Sequence, residues 1–128
     1  MGLENIYFIL VRPQIGENIG SVARAIKNFN IKYLRIINPR CSWPNHKALA
    51  TSVGAQDILK SAKIYNSIEK AIGDLDIIFA STSRVRKINK KIISILDLKK
   101  KVKRKGKIGI LFGPEASGLS NDELSYAD

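Results

Sequence analysis

The sequence predicts an α/β protein in which a mostly parallel sheet is covered by helices on both faces. Two observations predict this fold class. Short, strongly apolar segments rich in β-branched residues alternate along the chain with segments whose apolar residues recur every three or four positions. Strands that are apolar throughout belong to parallel sheets buried on both faces, and parallel neighbours need helical crossovers. The chain has 128 residues, enough for one core, so we expect a single domain spanning residues 1–128.

Four segments have the composition of buried strands. Each is rich in Ile, Leu, Val or aromatic residues, and each ends at a Pro, an Asn, a Gly or a polar turn. They are Asn5–Val11, Tyr33–Ile37, Asp76–Ala80 and Lys107–Phe112. In parallel sheets, ligands bind to the loops that leave the carboxyl ends of the strands. The polar or glycine-rich loops 13–20, 81–86 and 113–118 are therefore the candidate ligand-binding loops.

Helices are predicted between these strands. The longest is Glu17–Phe29, which places four apolar residues on one helical face: Ile19, Val22, Ala23 and Ile26. Shorter helices are predicted at 46–55 and 56–62, with a break at Gly54, and a further helix runs from a Ser67 cap to Gly73. Residues 92–104 are a mixed stretch that becomes helical late, and Asn121 begins a last helix.

Basic charge is concentrated in one segment of the chain. The formal net charge is +11, and residues 84–107 contain twelve of the 22 Lys and Arg residues with a single acid, Asp97. Such an excess attracts polyanions. A solvated lysine-rich surface is an equally good interpretation of the charge alone. The guanidinium groups of Arg84 and Arg86 favour phosphate binding, whereas the lack of aromatic residues in the segment gives no support for base stacking.

Several classes of protein are disfavoured by composition. One cysteine, Cys41, and one histidine, His46, leave no internal disulfide, no His/Cys metal cluster and little support for Ser/His/Asp catalysis. The glycine-rich loops match neither GxGxxG nor GxxxxGK, so a Rossmann or P-loop nucleotide site is not supported. Residues 1–13 lack the pattern of a signal peptide, and no apolar run reaches membrane-spanning length. We expect a soluble, cytoplasmic protein with neither a membrane nor a metal among its partners.

Three segments lie, in order, at the first predicted helix and at the ends of two predicted strands. They are NIGSVARAIKNFNI (Asn18–Ile31), ASTSRVR (Ala80–Arg86) and LFGPEASGLSNDEL (Leu111–Leu124). Together they resemble the successive motifs of the SPOUT superfamily, and within it those of the SpoU/TrmH class of RNA ribose 2′-O-methyltransferases. The intervening RIINPR and SVGAQDILKSAKIYNSIEKAI are similar to the TrmJ-type branch, which forms Cm and Um in the tRNA anticodon loop. The resemblance extends from Ile6 to Leu124.

The resemblance implies an α/β fold with a C-terminal trefoil knot. It also implies a homodimer that binds S-adenosyl-L-methionine in the knot loops and acts on RNA, in this branch tRNA. By the resemblance, Asn18 and Arg24 are catalytic residues that face the cofactor of the opposite subunit. The cofactor-binding residues implied in the same way are Ala80, Ser81, Thr82, Gly113 and Glu115.

The basic residues beside the second segment, Arg84, Arg86 and Lys87, are the expected RNA contacts. A guanidinium stays protonated at any pH at which the protein is folded. We therefore expect Arg24 to orient the ribose and its adjoining phosphate rather than to remove a proton.

The sequence departs from the family pattern in two places. Pro114 and Ala116 stand where relatives usually carry arginines, which removes a phosphate or dimer contact at 116. The third motif of the family, a helix start similar to Asn-Leu-Ala, would follow Asp128, so the expected domain lacks its C-terminal portion. Two alternatives stay open: a catalytically impaired RNA-binding protein that uses residues 84–107, and a nucleotide-binding α/β protein, which the missing phosphate-loop patterns disfavour.

Overall fold

A computed structural model describes residues 5–81, 88–101 and 106–128 of the chain. The described residues form a five-stranded parallel sheet in the order β3-β2-β1-β5-β4. Its strands are β1 (Ile6–Val11), β2 (Tyr33–Ile37), β3 (Lys63–Tyr65), β4 (Ile77–Ser81) and β5 (Ile108–Phe112). The helices are α1 (Gly16–Asn28), α2 (His46–Thr51), α3 (Gln56–Ser61), α4 (Ile68–Ile72), α5 (Ile88–Lys101) and α6 (Asn121–Leu124). The predicted fold class is confirmed.

The sheet separates two apolar cores because successive side chains of a strand point to opposite faces. Every residue of the central strand β1 is buried. Ile6, Phe8 and Leu10 face the larger core, to which α1, α2, α3 and α5 contribute. Ile9 and Val11 face the smaller core, which contains the buried residues of α4. Helices therefore cover both faces, as the apolar strands require.

Helix α1 packs on the sheet through the predicted apolar stripe, and Gly20 lets α2 lie directly against it. A Cβ at position 20 would stand 1.9 Å from Oγ1 of Thr51 and 2.4 Å from the carbonyl oxygen of Ala48. Both separations are far below van der Waals contact, so any larger residue would push α2 away. This close packing fixes the orientation of α1, which carries both predicted catalytic residues, Asn18 and Arg24.

Two elements differ from the sequence-based predictions. Strand β3 was not predicted, because it has only three residues, of which Lys63 and Ile64 are exposed and give no apolar run. Helix α5 begins at Ile88, earlier than the predicted mixed stretch of residues 92–104. Ile88 and Ile92 are both buried in the larger core at helical spacing, but the basic residues between them obscure the pattern.

A buried arginine on the smaller-core face joins β2 to the connection that enters β4. The Arg35 guanidinium donates to both carboxylate oxygens of Asp74, at 2.7 and 2.9 Å, and to the carbonyl of Ala71 at 2.7 Å. It also lies 4.5 Å from the ring centroid of Tyr7, which stacks on Tyr33. The hydrogen bonds from Arg35 lower the pKa of Asp74 to about 2. Because this guanidinium is buried and makes three hydrogen bonds, it stabilises the fold at the amino end of the sheet.

Candidate functional site

The two segments predicted to bind a cofactor end side by side at the carboxyl edge of the sheet. Strands β4 and β5 are parallel neighbours in a register that pairs Ala80 with Leu111 and Ser81 with Phe112. Gly113 therefore follows immediately beside the end of β4. Ser81 is buried, whereas Ala80 and Gly113 are half-buried. The small residues at these neighbouring strand ends make this edge the candidate ligand site.

The loop that follows β5 folds back over Gly113. A Cβ at position 113 would lie 2.3 Å from the carbonyl carbon of Gly118 and 2.3 Å from the nitrogen of Leu119. The turn closes with a hydrogen bond of 2.8 Å from the N–H of Gly118 to the carbonyl of Pro114. Gly118 itself has a φ of 69°, a left-handed conformation that glycine adopts without strain. Glycine at 113 is thus required by the return of the loop's own backbone.

Glu115, in the middle of that loop, faces the start of α1. Its carboxylate accepts the backbone N–H of Gln14 at 3.1 and 3.2 Å and that of Ile15 at 2.8 Å. It also accepts the side-chain amide of Asn18 at 3.3 Å. A further bond of 3.0 Å runs from the N–H of Ala116 to the side-chain oxygen of Gln14. A carboxylate at this place complements the positive end of the helix dipole, and it attaches one candidate ligand-binding loop to another.

Three of the predicted site residues line one small cavity. Asn18, Gly113 and Glu115 enclose it together with Leu10, Pro13, Ile19 and Val22. Its volume is about 10 Å³, roughly the room that one water molecule needs. A nucleoside does not fit inside this cavity. A ligand of that size at these strand ends would therefore lie outside the cavity.

Arg24 lies on a different side of α1. It follows Asn18 by six residues, or about one and two-thirds helical turns. The two side chains therefore leave the helix about a third of a turn apart. Its side chain is exposed and lines an open cavity of about 610 Å³ with the connection between α2 and α3 and the start of α5. Asn28 and Asn89 contribute amide groups to the same cavity. Among the residues that the structure describes, Asn18 and Arg24 therefore line two different cavities.

Four of the predicted site residues lie outside the described residues. Thr82 was expected to bind the cofactor, and Arg84, Arg86 and Lys87 were expected to contact RNA; all four fall between 82 and 87. Their roles stay predictions. What the structure does show is that this stretch begins directly after the end of β4 and precedes α5.

An ion pair near the site was not found by sequence reasoning. Nε and Nη2 of Arg12 donate to the two carboxylate oxygens of Glu123, at 3.0 and 2.8 Å. The hydrogen bond to Glu123 raises the pKa of Arg12. Burial alone would raise the pKa of Glu123, but the hydrogen bonds from Arg12 and from the backbone of Ser120 outweigh it and lower that pKa. The Ser-x-x-Glu pattern at 120–123 could have predicted the helix start, but nothing local indicates a partner 111 residues away.

Neither a metal-binding group nor a membrane-spanning helix is present among the described residues. Across residues 5–81, 88–101 and 106–128, no group of three His, Cys, Asp or Glu side chains is arranged to hold a metal ion. In the same ranges, no helix has the length and apolar character needed to span a lipid bilayer. Cys41 is half-buried, and this burial raises the pKa of its thiol, which disfavours the reactive thiolate.

The chain matches a known protein family over nearly its whole length. Residues 5–128 match the model of the SpoU rRNA Methylase family, so the chain belongs to that family. The match includes both strand ends of the candidate site and the whole of α1. The expectation of a SPOUT methyltransferase fold, drawn from three short segments, is confirmed.

Known proteins and solved structures are similar to the chain over most of its length. The tRNA (cytidine-2′-O-)-methyltransferase TrmJ of Methanocaldococcus jannaschii is 39% identical over 127 residues, which cover 96% of this chain and 55% of that protein. The crystal structure of TrmJ from Z. mobilis matches with a TM-score of 0.79 and 36% identity, over 94% of this chain and 55% of that one. The SpoU methyltransferase AviRb from Streptomyces viridochromogenes, in complex with AdoMet, has a TM-score of 0.65 and 16% identity, over 98% and 47%, and shows the shared fold. The chain spans about half the length of each of these three relatives.

Proposed function

We propose that this chain is the catalytic domain of an S-adenosyl-L-methionine-dependent ribose 2′-O-methyltransferase that acts on tRNA in the cytoplasm. One observation carries the proposal: in a member of the SpoU family, the ends of β4 and β5 meet beside a loop that is attached to the start of α1. Methyl transfer to a hydroxyl needs alignment of donor and acceptor and the loss of one proton, and it needs no metal.

The cofactor site of the proposed enzyme is the carboxyl edge of β4 and β5. The bound cofactor supplies a methyl group activated on a sulfonium. Ala80, Ser81, Thr82 and Gly113 would hold it, because small residues at neighbouring strand ends leave the backbone accessible to a flat base. The fold shared with AviRb, which was solved in complex with AdoMet, supports the choice of cofactor. Glu115 has a different proposed role, since its carboxylate is directed to Gln14, Ile15 and Asn18 and fixes the loop rather than touching the cofactor.

We place the acceptor side of the proposed site between two subunits. Arg24 is exposed and lines a cavity other than the one that contains Asn18 and Gly113. This arrangement supports a homodimer in which Arg24 of one protomer reaches the strand ends of its partner. There the protonated guanidinium would orient the ribose and bind the neighbouring phosphate.

The RNA-binding part of the proposal rests on charge. The segment 84–107, with twelve basic residues and one acid, begins three residues after the end of β4 in the sequence. Arg84, Arg86 and Lys87 are the basic residues of this segment nearest in sequence to that strand end. Neutralising several phosphates gives a steep salt dependence, with log K falling by roughly 0.7 per single-strand contact for each tenfold rise in salt.

A methyl-transfer assay tests the proposal. The chain is incubated with S-adenosyl-L-methionine carrying a radioactive methyl group and with unmodified tRNA transcripts, and the label is located by nuclease digestion. We expect label on a ribose 2′-oxygen, and none on a matched transcript with a 2′-deoxyribose at that nucleotide. Salt-sensitive RNA binding without cofactor binding or methyl transfer would contradict the proposal and support the impaired RNA-binding alternative.

A further inference from the structure

We infer that Arg12 is a positioning residue for the methyl-transfer site: through Glu123 it holds the loop 113–120 in place against the start of α1. The inference rests on the proposed function, because it concerns how the cofactor loop is shaped. Its structural part is tested without any ligand.

Arg12 is anchored at its backbone. It is the residue after β1, with a φ of 49°, and its N–H donates to the carbonyl of Ile37 at 2.7 Å, next to the last paired residues of β1 and β2. A left-handed φ is unfavourable for a non-glycine residue, so neighbouring contacts must maintain it. The Arg12 side chain therefore extends from a fixed point of the sheet, and it is 29% exposed.

Glu123 joins two structural tasks in one carboxylate. Its Oε1 accepts the Arg12 guanidinium at 2.8 Å and also the backbone N–H of Ser120 at 2.7 Å. The Ser120 hydroxyl in turn accepts the N–H of Glu123 at 3.1 Å, which completes the capping box of α6. The Glu123 side chain is 14% exposed, so water competes weakly for these bonds. The position of Ser120, the last residue of the loop, thus depends on the ion pair.

The loop 113–120 is attached to residues 12–15 at successive points. Glu115 and Ala116 bond to Gln14 and Ile15 in the middle of the loop, and Arg12 holds its far end through Glu123. Between these attachments, the backbone at Gly118 and Leu119 closes over Gly113. Without Arg12, the far end of the loop would lose its ion-pair attachment and keep the apolar packing of Leu119 on the smaller core.

Contacts after α6 indicate that the loss of Arg12 should disturb only the loop 113–120. The Tyr126 hydroxyl bonds to Glu69 of α4, and the N–H of Asp128 donates to the carbonyl of Ile78 at 2.8 Å. The carboxylate of Asp128 accepts the N–H of Ile78 at 2.7 Å. These bonds hold the residues that follow α6 independently of Arg12. Loss of Arg12 is therefore expected to loosen the loop without releasing the last residues of the chain.

The ligand-free protein gives the first test, by amide hydrogen exchange measured with NMR. In Arg12→Met, which keeps an apolar stem but removes the guanidinium, we expect the protection of the Ala116 and Gly118 amides to fall by about tenfold. The control is Asp74→Asn, which disrupts another two-bond arginine–carboxylate pair, at the amino end of the sheet. Unchanged protection in Arg12→Met, or an equal loss in Asp74→Asn, would overturn the inference.

Titration with S-adenosylhomocysteine gives the second test. Glu123→Gln keeps a side chain that serves in a capping box but removes the charge that pairs with Arg12. We expect Arg12→Met and Glu123→Gln each to raise the dissociation constant by about tenfold, and the double variant to be no weaker than either, because both remove one interaction. Additive losses, or wild-type affinity in both single variants, would overturn the positioning role. If the wild-type chain binds no S-adenosylhomocysteine, the proposed function fails, and the exchange experiment still decides the structural part.

Discussion

The carboxylate of Glu115 accepts the backbone N–H of Ile15 at 2.8 Å, across a separation of one hundred residues in the sequence. Ile15 is the N-cap residue of α1, and its own side chain makes no capping bond. The loop after β5 therefore supplies the polar contact that the helix start lacks. Because Asn18 bonds to the same carboxylate, a proposed catalytic side chain and a proposed cofactor loop are parts of one structural unit.

Removal of the Glu115 carboxylate is the first prediction. In Glu115→Ala, the N–H groups of Gln14 and Ile15 lose their acceptor, and we expect the free energy of unfolding to fall by about 1–3 kcal/mol. The measurement is chemical denaturation. Glu17→Ala is the control, because Glu17 is an exposed acid in the first turn of the same helix. Equal losses in the two variants would mean that Glu115 acts only through its charge near the helix dipole.

The two loop glycines give a matched pair of variants. Gly113→Ala would place a Cβ 2.3 Å from backbone atoms of Gly118 and Leu119, so the loop must move, and we expect loss of S-adenosylhomocysteine binding. Gly118→Ala meets open space and carries only the cost of its left-handed φ, about 1 kcal/mol. Calorimetric titration and denaturation of both variants separate the clash from backbone strain. Normal binding by Gly113→Ala would contradict the structure of the loop.

Arg24→Lys tests the acceptor side of the proposed site. A lysine keeps the charge but lacks the planar fork that would hold a ribose and a phosphate together. We expect most of the methyl-transfer activity to be lost while cofactor affinity stays within about twofold of wild type, since Arg24 lies outside the strand-end cavity. Lys32→Met serves as the control, because Lys32 is an exposed cation just before β2, at the opposite edge of the sheet. Wild-type turnover in Arg24→Lys would refute the role.

The pair of Arg35 and Asp74 predicts a specific pH dependence of stability. The pKa of Asp74 is lowered from 3.8 to about 2 by its hydrogen bonds with Arg35, so the folded state favours the charged carboxylate. Its contribution is complete above about pH 4 to 5 and is lost as the pH falls through 2. We expect Asp74→Asn to be less stable than wild type at pH 6, and the difference to shrink between pH 4 and 2. A constant difference over this range, measured by urea denaturation, would contradict the ion pair.

Local patterns in the sequence predicted most of the fold, because they report on burial. The limits of β2 match Tyr33–Ile37 as predicted, since four apolar or aromatic residues flank Arg35 between turn signals. The buried stripe of α1 follows from its helical period. Strand β3 could not be predicted, because it has only three residues. Its pairing with β2 places Lys63 opposite Arg35, so this position carries no apolar side chain that would mark a buried strand.

The site was harder to predict, because its residues meet through contacts between distant segments. The sequence placed Gly113 in a glycine-rich loop after a strand, and only the structure shows that the backbone of Gly118 and Leu119 packs directly against it. The ion pair of Arg12 and Glu123 joins two residues with no local relationship. Such contacts depend on strand order, which places β1 beside β5, and strand order is not encoded in any single segment.

An NMR titration of the wild-type chain shows whether S-adenosylhomocysteine binds at the carboxyl ends of β4 and β5. We expect saturable binding, with the largest shift changes at the amides of Ala80, Ser81 and Gly113 and smaller ones in the rest of the loop up to Ser120. Saturable binding whose shift changes cluster instead around Arg24 and Gly54, or no binding at millimolar ligand, would contradict this expectation.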